Sequence, residues 1–235
     1  MPETTDIPFP IEIISNARRK RIAIRIWEGR VQLLTPKYFS ENTARDFLNT
    51  HMQWVQKKLA EYSRTPYHPK QYTDDEPFLY LGNPYLLKVA FSKQPMVMMR
   101  ENQLFVFIRE TTCPQKRKQQ IYRQLRAWYY QEADRIFNEK TNEYAQKLGV
   151  QYQSVSIRQW KSRWGSCSIR GDIQYAWQVV MAPIDIVSYL VVHELSHIKH
   201  HNHSPKFWAV VASMIPDYRT CQQWLKTQGH LLKIT

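Results

Sequence analysis

The chain has 235 residues, 43% of them hydrophobic, and its 33 Lys and Arg against 20 Asp and Glu give +13 at pH 7 and a pI near 9.7. That composition excludes a disordered chain and suits one large core or two modest ones, while the charge points to polyanions such as nucleic acid. No run of 18 apolar residues occurs and Met1–Asp6 lacks the basic and apolar regions of a secretory signal, so no membrane span is expected and the expected location is cytoplasmic.

Residues 10–14 and 21–27 alternate apolar with polar, and Glu28-Gly29-Arg30 turns into Val31–Leu34, which predicts strands with a hairpin. Ser40 is placed to cap a helix over about 41–62, whose Ala44, Phe47, Leu48, Val55 and Leu59 keep helical spacing. Thr65-Pro66-Tyr67-His68-Pro69 breaks it. After Asp74-Asp75-Glu76, strands over 78–81 and 85–91 flank Gly82-Asn83-Pro84, and strands over 96–100 and 103–108 flank Glu101-Asn102, predicting a small antiparallel β region.

Pro114 opens a long helix to about 148, which Gly149 ends. A short strand at Val155–Ile157 leads into Arg163-Trp164-Gly165-Ser166-Cys167, and Gly171 turns the chain into a strand over 173–180 that is expected to accept an extended peptide as a further strand. Pro183 starts the next helix, with Val187, Leu190, Val191, Leu195 and Ile198 on its buried face. Phe207, Trp208, Val211 and Ile215 keep helical spacing up to Pro216, and Asp217-Tyr218-Arg219 opens a last helix.

Five of the eight histidines lie between positions 193 and 203. In His193-Glu194-Leu195-Ser196-His197 the two imidazoles fall one helical turn apart on one face, where both can reach one zinc ion, and Glu194 projects beside them as a base. A third ligand cannot be His201, which sits about 12 Å of helix rise from His193. It must come from chain that has left the helix and turned back. Asn202 is a helix terminator and Ser204-Pro205 reads as the start of the next helix, which makes His203 the expected third ligand.

Cys113, Cys167 and Cys221 are odd in number and widely spaced, as befits reduced thiols; Cys167 is the one that could close the zinc site as a fourth ligand. The positive excess is spread, +8 over residues 1–150 and +5 over 151–235, with local concentrations at Arg18-Arg19-Lys20-Arg21, from Lys116 to Arg126 and from Arg158 to Arg170.

Taken together, Arg163-Trp164-Gly165-Ser166-Cys167, His193-Glu194-Leu195-Ser196-His197, Asn202-His203-Ser204 and Phe207-Trp208 resemble the YgjP-like metallopeptidases, compact relatives of the zinc proteases of the SprT and WLM groups. The resemblance implies an α+β protein: an N-terminal antiparallel β-rich region with one helix over 1–110, then a zincin-like, gluzincin-type metallopeptidase domain over 111–235. It places His193, His197 and His203 on the family's metal positions and Glu194 on its catalytic one, with zinc as cofactor and a peptide or protein as substrate. One stretch departs from the pattern: the strand before the metal helix, commonly Leu-Asn-Trp-Arg in the family, is Tyr175-Ala176-Trp177-Gln178 here. The SprT and WLM proteases digest proteins crosslinked to DNA, so the resemblance also implies DNA as a partner. Tyr218, Arg163, Ser166 and the backbone amides of Trp164-Gly165 are the candidates for stabilising an oxyanion. The competing reading is a basic nucleic-acid-binding module with a structural zinc held by four protein ligands.

Overall fold

The computed structural model describes residues 8–27, 29–64, 68–160 and 162–234. The breaker expected at Thr65-Pro66-Tyr67, Glu28 of the first turn and Lys161 lie outside them. The chain forms two compact units, Met1–His68 and Pro69–Thr235.

In the first unit, β1 (Ile11–Ser15), β2 (Ala23–Trp27) and β3 (Arg30–Thr35) form a sheet in the order β1-β3-β2. The β2–β3 hairpin is antiparallel as expected, whereas β1 runs parallel to β3. The helix expected over 41–62 is two: α1 (Glu41–Thr50), capped by Ser40, and α2 (Met52–Arg64), parted at His51. There the His51 N–H reaches back to Leu48 O and the ring Nδ1 to Phe47 O at 2.8 Å, so side-chain bonding to the preceding turn competes with the helical ladder. Leu33, Ala44 and Leu48 form this unit's small core.

The second unit begins with β4 (Pro77–Tyr80), β5 (Asn83–Phe91), β6 (Met96–Arg100) and β7 (Gln103–Ile108), ordered β4-β5-β7-β6. The expected hairpins are present, but β5 and β7 pair parallel, so this region too is mixed rather than wholly antiparallel. The division expected at 110/111 falls inside this unit. Leu87, Leu104, Val106 and Ile108 share one core with Ile121, Leu125 and Tyr129 of α3 (Pro114–Leu148), and the Tyr129 hydroxyl donates to Leu79 O at 2.7 Å.

Beyond α3, β8 (Ser154–Arg158), β9 (Gly165–Cys167) and β10 (Asp172–Ala176) form a sheet ordered β8-β10-β9. The strand expected over 173–180 stops at Ala176 and Trp177–Met181 winds into a 3-10 turn. Its cause is tertiary: the β4–β5 turn, with Leu81 and Gly82 both at positive φ (48° and 82°), donates its N–H groups to Val180 O and Met181 O, and a Cβ on Gly82 would strike Pro183. In addition, β10 is flanked on both sides, so the sheet's edge strands are β8 and β9, of which β9 lies against Glu194 of the following helix.

The docked turn fixes where α4 (Ile184–Lys199) starts; α5 (Pro205–Met214) and α6 (Tyr218–Gln228) follow it. Helix α4 buries Ile186, Val187, Leu190, Val191, Val192 and Leu195 and packs on α3, α5, α6 and β9. No described helix is long and apolar enough to cross a membrane. Phe137 of α3, fully buried, stacks on Tyr175 of β10 with centroids 4.2 Å apart. Phe137→Ala is expected to cost about 3–5 kcal/mol of unfolding free energy, read as a lower urea midpoint.

Candidate metal centre

Helix α4 presents Tyr189, His193 and His197 at intervals of four, hence on one face. The helix ends at Lys199, and His200 is extended, with φ −142°. This places the His200 carbonyl 3.3 Å from His197 Nδ1, which donates to it and leaves Nε2 for the centre. The chain then turns, and Ser204 starts α5 by accepting from Phe207 N at 3.5 Å. The turn returns His203, whose Nε2 lies 3.1 Å from His193 Nε2.

Each of His193, His197 and His203 offers a ring nitrogen, and the three lie within 4.8 Å of one another. Two nitrogens bound to one tetrahedral zinc at about 2.0–2.1 Å stand about 3.3 Å apart, close to the His193–His203 contact. Burial, with His197 and His203 adding repulsion, pushes the His193 imidazolium down to about 3, and burial likewise lowers His197. Both are therefore neutral near pH 7, the form that binds metal. The donor set fits a zinc ion with one position left open. Among the described residues no cysteine or carboxylate joins the three histidines. Burial, followed by the charges of Glu194 and Asp172, pushes the Cys167 thiol up to about 11.

Glu194 is 4% exposed, and burial raises its carboxyl to about 8 against the opposing charge of Arg163. It lies against β9 at Gly165, where a Cβ would stand 2.9 Å from Glu194 Cδ and closer still to Oε1. Glycine is required there by this approach. Arg163 is exposed, its guanidinium 5.4 Å from the centre of the Trp160 ring. Ser166, next along β9, turns to the opposite face of the sheet, where with Ser156 and Gln174 it lines a polar cleft of about 480 Å³. The structure does not bring it to the histidines. Tyr218 stacks on Trp208 (5.1 Å, 17°), which stacks on His203 (5.6 Å, 25°).

Phe207 and Trp208, read from the sequence only as helix and motif residues, and Tyr189, not read at all, pack around the imidazoles. Phe207 is fully buried, with its ring centre 4.7–5.0 Å from all three imidazoles, and Trp208 covers His203. Tyr189 meets His193 edge-on at 5.8 Å, and its place one turn before His193 was a signal available in the spacing.

The α+β fold and the three-histidine centre with its adjoining carboxylate define a zinc metallopeptidase, a hydrolase of peptide bonds. Residues 20–228 match the YgjP-like metallopeptidase domain, and the chain belongs to this family. Two crystal structures of metallopeptidase zymogens are similar to parts of it. Abylysin of Pyrococcus abyssi shares 23% identity over 40% of this chain and 95% of its own, with a TM-score of 0.37. Jannalysin of Methanocaldococcus jannaschii shares 21% over 38% and 95%, with a TM-score of 0.34. The comparison with curated proteins gives no match.

Gly165→Ala is expected to displace the Glu194 carboxylate, lowering peptidase turnover at least about tenfold while bound zinc stays at one per chain; a decade in rate needs only about 1.4 kcal/mol. Turnover and elemental analysis on the same preparation check both halves.

Proposed function

We propose that the chain is a zinc-dependent endopeptidase in which His193, His197 and His203 hold the metal and Glu194 moves the proton. One observation carries this reading: three imidazole nitrogens, those of His193, His197 and His203, converge beside the buried Glu194 carboxyl of the helix that carries the first two. Zinc, when bound, polarises the scissile carbonyl and acidifies the attacking water.

The chain's own residues do the rest. Glu194 accepts the proton at its carboxylate oxygen and delivers it to the leaving amine. Gly165 lets β9 press against that carboxylate and hold it in place. Strand β9 is paired on one side only, so its outer N–H and C=O groups can take an extended peptide as a further strand beside Glu194. Oxyanion stabilisation falls to Arg163, whose charge reaches Glu194, or to Tyr218, which reaches the centre through Trp208. The second unit, Pro69–Thr235, contains all of these groups. The absence of a fourth protein donor among the described residues favours this reading over a structural zinc.

Two finer points belong to the same proposal. The +13 charge supports protein substrates associated with DNA, and three free thiols support a cytoplasmic setting.

Glu194→Gln should retain one zinc per chain yet lose at least about a hundredfold in kcat on a casein-type substrate, the usual scale for removing a general base. His203→Ala should lose the metal itself. Full cleavage by zinc-loaded Glu194→Gln would sink the mechanism.

A further inference from the structure

We infer that the connections at 16–22 and 36–40 form a binding site for single-stranded nucleic acid, with phosphates held by Arg18, Arg19, Lys20, Arg21 and Lys37 and a base stacked on Tyr38. The inference rests on the DNA association proposed above and adds where the strand lies and which form it takes.

Strand pairing places the two connections together. Ser15 pairs with Thr35 and Ala23 with Leu34, so β1 ends, β2 begins and β3 ends at one margin of the sheet. Both connections leave from that margin. They line two adjoining clefts of about 500 and 460 Å³, which share Lys20 and Arg21; Arg18 and Arg19 line the first and Tyr38 the second.

The charge there is uncompensated. Among the described residues none of Arg18, Arg19, Lys20, Arg21 and Lys37 has an ion-pair partner, so the four consecutive cations and Lys37 gather charge that no carboxylate offsets. The loop is nevertheless well tied. Asn16 N donates to Thr35 O at 3.0 Å, Arg19 N to Asn16 O at 3.1 Å, and Arg18 N to the Asn16 side-chain oxygen at 2.9 Å. Holding four consecutive cations on an ordered loop without acids makes a site for a polyanion, whose bound counterions they replace.

The aromatic decides the kind of polyanion. Tyr38 is 83% exposed at the rim of this basic cleft, with Lys37 Nζ 5.4 Å from its ring centre. Burial does not explain a ring so placed, whereas every nucleobase has a π-face to stack on it. In a duplex those faces are covered by neighbouring base pairs; in a single strand they are available. An anionic membrane offers phosphates but no bases.

The test is fluorescence anisotropy of labelled DNA and RNA oligomers of about 16 nucleotides, single-stranded and duplex, with the full chain over a range of salt. Anionic phosphatidylserine vesicles serve as a separate arm. Changing Arg18, Arg19, Lys20 and Arg21 together to Ser should weaken single-strand binding and flatten its logarithmic salt slope by about 3, at about 0.7 per phosphate contact. Tyr38→Ala, a change at an exposed ring that leaves the core untouched, should weaken it about tenfold with little change in slope. Glu194→Gln should bind as wild type, separating this site from the peptidase chemistry.

Single-strand binding that ignores both variants would overturn this site and leave the DNA association standing. No binding of any nucleic acid would overturn both. Duplex bound as tightly as single strand, or vesicles bound with the same dependence on Tyr38 and the four cations, would overturn the single-strand assignment.

Discussion

Everything at the centre depends on the burial of α4. A helix carrying two imidazoles and a carboxylate is kept inside the protein only because its other faces are apolar, and Ile186, Val187, Leu190, Val191, Val192 and Leu195 are all buried. Helix α3 supports it from one side while also backing two sheets, so one long element aligns the helix with β9. The β4–β5 turn adds a second constraint, because its bonds to Val180 O and Met181 O fix where the chain leaves β10 and where α4 begins.

That burial sets the electrostatics of the site. Desolvation lowers His193 and His197 and raises Glu194, so near neutral pH these three groups are uncharged in the metal-free centre. A cation entering it meets two imidazoles, His193 and His197, already held neutral, and a carboxyl whose ionised form it would favour. The aromatic shell of Phe207, Trp208 and Tyr218 limits the motion of His203, the one ligand candidate that lies outside α4 and is exposed.

What could be read from the residues were the features specified locally. Pro114 and Gly149 bound α3 because a proline fits a first turn and a left-handed cap suits glycine. His203 followed from Ser204-Pro205, which forces the chain to leave one helix and start another. What stayed hidden was set by distant partners. Parallel pairing of β1 with β3 and of β5 with β7 joins segments that are not neighbours in the chain. Trp177-Gln178-Val179-Val180 has strand-forming residues, yet it turns because the β4–β5 loop takes its carbonyls. The break at His51 carries neither glycine nor proline, and Gly165 shows its purpose only once Glu194 lies against it.

The most direct test of the account is zinc K-edge X-ray absorption of the zinc-loaded chain near pH 7. The account predicts three imidazole nitrogens and one further light-atom ligand at about 2.0–2.1 Å, with no sulfur. A sulfur shell near 2.3 Å, the signature of Cys167 in the coordination sphere, or fewer than three imidazoles would contradict it.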